Sequence, residues 1–311
     1  MSWRPQTFRP SSTGISSGHE KGGLFESGKS SPVRAKDDQF VEGGLCFRID
    51  GMARKNVHGV CKLCLRPAKL CKSHYMSRVL HALSRTGKEH PVVMTPGLIR
   101  TTPKQLWAHL LCESCEQLLN NRGEKPVLAL FNGAKDNFPL LNRMNLALPL
   151  KAGPTVIIYS GEAMGINTEP LAYYALSVLW KGSVHEWTTL KGQKSSIDLG
   201  KYQGPIRGYL LGEAAFPDGV YVNVTACVDR GSQGMNYAPS EAVGPPYPMY
   251  SLLVRGLWFH VITTDSAPPG LSDLCCVRST NKMLFKTDCT EPFLLAARHI
   301  HKTASVSAEL R

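Results

Sequence analysis

At 311 residues and 42% apolar content, the chain is long enough for one large or two modest cores without disulfide staples. No run approaches the roughly 18 apolar residues of a membrane-spanning helix, and the polar, basic start (Trp3, Arg4, Gln6, Arg9) lacks the apolar core of an export signal, so a soluble, cytoplasmic protein is expected. The formal charge is +12. Residues 1–150 hold 22 Lys and Arg against 11 Asp and Glu, and the remainder holds 14 against 13, so the positive excess sits in the first half, as expected for a surface that meets phosphate. The plainer alternative for that excess is a solvated basic face.

Residues 1–43 are rich in Ser, Gly, Lys and Pro and read as a disordered basic arm. A first folded module is expected over 44–135. Its early part carries Cys61 and Cys64, followed by a short helix around Ser77 to Leu83. Pro91, Pro96, Gly97 and Pro103 then forbid a long helix and predict a hairpin or loop. The spacing of Leu111, Cys115, Leu118 and Leu119 predicts a short helix, which Gly123 and Pro126 are expected to stop. A second α+β domain is expected over 150–303. It has a strand at Val156 to Tyr159, an amphipathic helix over Pro170 to Trp180, alternating β structure from Val220 to Val228, and a strand pair from Tyr250 to Thr264 broken near Gly256. Segments 238–248 and 266–271 read as surface loops. Trp180, Trp187 and Trp258 read as that domain's own core.

Ten cysteines in a chain without an export signal are expected to stay reduced. Cys61-x-x-Cys64 and Cys112-x-x-Cys115 form two pairs of the kind that places both sulfurs on one side of a tight knuckle, and four thiolates fill a tetrahedral zinc site. A site with all four positions filled by protein is structural, because none is left for water or substrate. Cys71 and His74 lie beyond the first knuckle and are left outside the ligand set. Cys46, Cys71, Cys227, Cys275, Cys276 and Cys289 read as small buried hydrophobes.

The order of Cys61-Lys-Leu-Cys64, then Leu70-Cys71-Lys72-Ser73-His74, then Leu111-Cys112-Glu113-Ser114-Cys115-Glu116 resembles the zinc-bearing HNH (ββα-metal) endonucleases over residues 58–125. In particular it looks like a divergent bacterial HNH-like branch in which a second α+β domain follows. The resemblance implies a ββα-metal, treble-clef zinc module. It also implies that His74 is the general base that activates water, and that Glu116, with Asn120 one helical turn on, holds a catalytic Mg²⁺ or Mn²⁺ beside the structural zinc. Two positions depart from the family. Ser73 stands where a carboxylate or His is usual, and a neutral hydroxyl is a weak Mg²⁺ ligand. Trp107 stands where an Asn orients the base, with Gln105 or His109 as the available substitutes. Each candidate also has a plain reading: a strand-end His74 bonded to the backbone, and a Glu116 that complements the positive end of a helix dipole.

The resemblance thus implies a metal-dependent nuclease acting on DNA or RNA. Lys69, Lys72, Arg78 and Arg85 would grip the backbone, and the C-terminal domain would restrain the enzyme or bind a protein partner. The missing family residues favour the alternative, a catalytically inactive zinc-stabilised module that binds nucleic acid or protein. A Cys71–His74 hydrolase is disfavoured, since no orienting carboxylate or oxyanion hole can be named for it.

Overall fold

The computed structural model describes residues 56–84, 92–95, 98–102, 104–131, 133, 137–188, 192, 194–241, 247–290 and 305–306. The expected arm 1–43, Cys46 and Arg85 lie outside the described residues. The described residues pack as one compact unit. No helix among the described residues is long and apolar enough to cross a membrane.

The architecture is mixed α+β. Strand β1 (His58–Val60) leads into the Cys61–Cys64 turn and then β2 (Pro67–His74). Helix α1 (Arg78–Leu83) begins at Ser77, whose Oγ accepts from the Val79 amide at 3.3 Å and so satisfies one of the free amides of the first turn. A hairpin of β3 (Val92–Thr95) and β4 (Leu98–Thr101) follows, and then β5 (Trp107–Cys112). Strands β1, β2 and β5 form one antiparallel sheet in that order.

Helix α2 (Glu113–Leu119) does not stop at Gly123. It runs through a π turn (Asn120–Glu124) into α3 (Lys125–Leu128). Pro126 follows the π turn directly, as the second residue of α3, so the helix continues through a proline just where its hydrogen-bond register changes. Gly123 has a packing reason: a Cβ built there would lie 2.8 Å from the Tyr173 ring and 3.2 Å from the Tyr174 backbone.

After α4 (Pro139–Leu146), β6 (Lys151–Ala152) and β7 (Val156–Ser160) comes the central helix α5 (Glu169–Ser183). It is buried from Leu171 to Gly182 on every face, rather than along one stripe as its expected amphipathicity would give. The short pair β8 (Trp187–Thr188) and β9 (Lys194–Ser195), a 3₁₀ turn and α6 (Gln203–Leu211) follow.

The chain then builds most of a seven-stranded sheet from β10 (Val220–Cys227), α7 (Arg230–Gly234), β11 (Asn236–Glu241), β12 (Met249–Val254), β13 (Leu257–Thr263), α8 (Leu271–Leu274) and β14 (Met283–Thr287). The strand order is β11-β12-β13-β10-β14-β7-β6, and its one parallel pair is β10 with β14. Part of the expected loop 238–248 is therefore edge strand β11. The expected break at Gly256 is a tight turn in which Arg255 and Gly256 both have positive φ, as a two-residue hairpin needs. A last strand, β15 (Ser305–Val306), pairs in parallel with β4.

One hydrophobic cluster includes Leu63, Leu110 and Leu111 of the cysteine-bearing part, Trp180 of α5 and Phe259 of β13. The two modules expected from the sequence thus share a core. Trp180 and Trp187 are buried, whereas Trp258 is half-buried and stacks on His260 with ring centroids 5.2 Å apart.

Burial holds the His260 imidazole down at about 4, against 6.5 for a free side chain. A histidine with a depressed folded-state pKa takes up its proton more readily in the unfolded chain, so acid favours unfolding. Stability is expected to be intact above pH 6.5 and to fall between 6.5 and 4 by roughly 2–3 kcal/mol from this residue. His260→Gln should flatten that fall in urea unfolding measured across the window. An unchanged slope would show that His260 does not titrate with folding.

Candidate metal centre and nucleic-acid interface

The first cysteine pair sits in a turn closed by the Cys61 amide on the Arg66 carbonyl at 3.0 Å and by the Leu65 amide on the Cys61 carbonyl at 2.9 Å. Leu65 takes a left-handed backbone (φ 60°), which tightens the turn at some steric cost. The Lys62 amide donates to the Leu110 carbonyl at 2.9 Å, tying the turn to β5 just before the second pair. Cys112 ends β5 and is the N-cap of α2, and Cys115 faces inward from the first turn of that helix.

The sulfurs of Cys61, Cys64, Cys112 and Cys115 all lie within 4.8 Å of one another, with Cys64 and Cys112 at 3.8 Å. The Cys112 amide donates to Cys61 Sγ at 3.3 Å, and the Ser114 hydroxyl lies 3.2 Å from Cys112 Sγ. Burial pushes the Cys61 and Cys115 thiols up. At Cys112 burial also pushes upward, but hydrogen bonds from Ser114, from the Cys115 backbone and from neighbouring thiols outweigh it and bring it down to about 6. Four sulfurs this close cannot all be thiolates unless a cation sits among them. The donor set therefore fits a metal ion such as zinc, at the spacing of a closed tetrathiolate site. Cys71 is half-buried and outside the cluster.

The sheet that carries the cysteines presents two chemically different faces. In the β2–β5 pairing, Lys72 is opposite His109, Ser73 opposite Ala108, and His74 opposite Trp107. Because strand side chains alternate, Lys72, His74, His109 and Trp107 share one face and Ser73 turns to the other. Ser73 is fully buried, accepts from the Leu111 amide at 3.2 Å, and also reaches Glu116. On the outer face Trp107 is 43% exposed. The Lys72 ammonium lies 3.8 Å from its ring centroid and the His109 ring meets it edge-on at 5.6 Å. Lys69 is exposed and pairs with exposed His58 across β1; Lys62, Arg66 and Arg78 are exposed as well.

The inner side holds a buried charge cluster that no spacing in the sequence announces. Lys181, near the end of α5, donates from Nζ to the His74 carbonyl at 2.8 Å and is almost inaccessible. Burial pulls its pKa down, and the Glu124 and Glu116 carboxylates pull it back up. Glu116 has an inaccessible Oε1 without a hydrogen-bond partner among the described residues. Burial raises its pKa, opposed by the Lys181 charge and the Ser73 hydroxyl. The imidazole of His74 is held below its usual range by burial and then by the Lys181, Arg78 and Lys72 charges.

Of the three residues expected to be catalytic, Glu116 thus lies inside against Ser73 and near Lys181, His74 belongs to the Trp107 face, and Asn120 is exposed at the start of the π turn. Among the described residues, no group of three or more His, Cys, Asp or Glu donors includes His74 or Glu116. Comparison with protein-family profiles, with curated proteins and with solved structures finds no match to this chain.

Proposed function

We propose that the chain is a zinc-stabilised nucleic-acid-binding module on an HNH-like, treble-clef scaffold, and that the outer face of its β2–β5 strand pair is the binding surface. The observation that carries this reading is the exposed Trp107 ring with Lys72 above it and His109 at its edge. An aromatic plane accepts a base of any sequence by stacking, for about 1–3 kcal/mol, while the ammonium groups beside it meet phosphate. The knuckle and α2 order of the four cysteines support the treble-clef part of the reading.

A metal-dependent nuclease is the second reading, and the depressed pKa of His74 favours it, because an imidazole neutral at pH 7 is competent as a general base. Against it stands Glu116, turned inward and electrostatically coupled to the buried ammonium of Lys181, a like charge that a divalent cation bound there would face.

The protein is expected to bind single-stranded DNA or RNA with an affinity that falls steeply with salt. Trp107→Ala should weaken binding by ten-fold or more at constant salt. Lys69→Gln with Lys72→Gln should flatten the salt slope by about one unit for each phosphate that is no longer neutralised. Fluorescence anisotropy with labelled oligonucleotides checks both, and absence of binding at low salt overturns the proposal. The same oligonucleotides incubated with Mg²⁺ or Mn²⁺ should stay intact. Cleavage that disappears in His74→Ala, with circular dichroism unchanged, would establish the nuclease instead.

A further inference from the structure

We propose a second metal site, for a zinc-class divalent ion, formed by Cys227, Cys289 and Asp229 at one end of the large sheet. Cys227 closes β10. Cys289 comes two residues after the end of β14, and these two strands run parallel with Cys227 opposite Thr287. Parallel pairing brings the ends of both strands to the same edge, so residues 62 positions apart in the chain meet there. The two sulfurs and a carboxylate oxygen of Asp229 lie within 4.8 Å of one another. In a tetrahedral zinc site with sulfur at about 2.3 Å, neighbouring sulfurs stand somewhat under 4 Å apart, so closing the group on an ion requires side-chain adjustments of about an ångström or less.

Three further observations distinguish this group from a chance meeting of buried cysteines. The first is orientation. Asp229 Oδ1 accepts from the Ser232 amide at 2.7 Å and Oδ2 accepts from the Cys289 amide at 3.1 Å, which fixes the carboxylate and holds the Cys289 backbone to it. Outer hydrogen bonds of this kind orient metal ligands, and carboxylate oxygens keep lone pairs for an ion.

The second is an unpartnered donor. Ser232 is 1% exposed, and its hydroxyl oxygen has no hydrogen-bond partner by geometry among the described residues, although it approaches Cys227 closely enough to lower that thiol's pKa. With an ion bound, Cys227 is a thiolate and can accept from this hydroxyl.

The third is setting. Cys227 and Cys289 are buried in an apolar cluster with Leu253, against which Met235 and Trp258 pack. Val228, Asp288 and Thr290 beside them are exposed, so the group lies one layer below the surface, within reach of an entering ion. Two thiolates and a carboxylate carry three negative charges, which such surroundings accept only around a cation. Two sulfur donors select a zinc-class ion over Mg²⁺ or Ca²⁺. The ion would clamp β10, β14 and the start of α7 together, a structural role independent of the hairpin and its function.

The test is metal counting on the full chain, purified under reducing conditions without chelator. A second zinc equivalent per chain is expected beyond the one that Cys112→Ser removes. Cys227→Ser with Cys289→Ser should remove that second equivalent and leave the first. Titration of the unsubstituted, metal-stripped protein with Co²⁺ guards against misfolding of the variants, since a second equivalent must add thiolate-to-cobalt charge-transfer absorption. A single zinc equivalent with no second cobalt step overturns the proposal. So does an intact mass lower by two hydrogens with Cys227 and Cys289 joined, because sulfurs bonded to each other cannot both bind an ion as thiolates.

Discussion

Cys112→Ser should release the hairpin zinc and lower the thermal transition of the whole unit by more than about ten degrees, since a loss of a few kcal/mol shifts a midpoint by that order. Zinc bound by four thiolates contributes folding free energy of the order of 10 kcal/mol, because the unfolded chain has no preformed site. The loss should not stay local. Cys61, Leu63, Leu110, Leu111, Cys112 and Cys115 belong to the same hydrophobic cluster as α5 and the large sheet. The knuckle is also held from outside: Arg207 on α6 donates to the Leu63 carbonyl, and Tyr75, just after β2, stacks on Trp187 with ring centroids 4.6 Å apart. Metal analysis together with calorimetry checks the prediction. A variant that keeps its zinc, or that melts with the unsubstituted protein, would show that Cys112 is not a ligand or that the site does not support the fold.

The features legible in the sequence are those set by local chemistry. The two cysteine pairs announce a knuckle and a helix start, Ser77 announces α1, and Arg255 with Gly256 marks the turn between β12 and β13. What was not legible depends on tertiary neighbours. Gly123 and Pro126 read as helix breakers, but one makes room for α5 and the other sits at the π-to-α change of register. Lys181, near the C-terminus of α5, carries no sequence signal of burial, which arises where the π turn and α3 pack against that helix. Cys227, Asp229 and Cys289 carry no spacing signal at all, because a parallel strand pair brings them together. The separation of His74 from Glu116 was available in principle. Adjacent strand residues point to opposite faces, so a Ser73 turned toward α2 leaves His74 on the other side.

Removing the Lys181 ammonium should be among the most damaging single changes in the chain. In Lys181→Met the stem is replaced at similar volume, so the effect reads the charge rather than a cavity. Lys181 is the cation that lowers the proton affinity of buried Glu116 and is itself held charged by Glu124 and Glu116. Without it, those carboxylates face low-dielectric surroundings and the His74 carbonyl loses its donor. Leaving a buried acceptor and a desolvated carboxylate without the cation that faces them costs about 1–3 kcal/mol, and more where a charge is left uncompensated. Urea unfolding at pH 7 should show a loss of that size, and adding Glu116→Gln to Lys181→Met should recover part of it. The pH dependence gives a second check. A carboxyl whose folded-state pKa lies above its unfolded value contributes stability that is present at low pH and is lost as the pH rises through the folded value. The deficit of Lys181→Met against the unsubstituted protein should therefore be largest at neutral pH and shrink on acidification toward the ordinary glutamate range near 4.5. A deficit below about 1 kcal/mol, or one that does not change with pH, would mean that water rather than Lys181 neutralises the carboxylates. In that case the main argument against a divalent ion at Glu116 would fall with it.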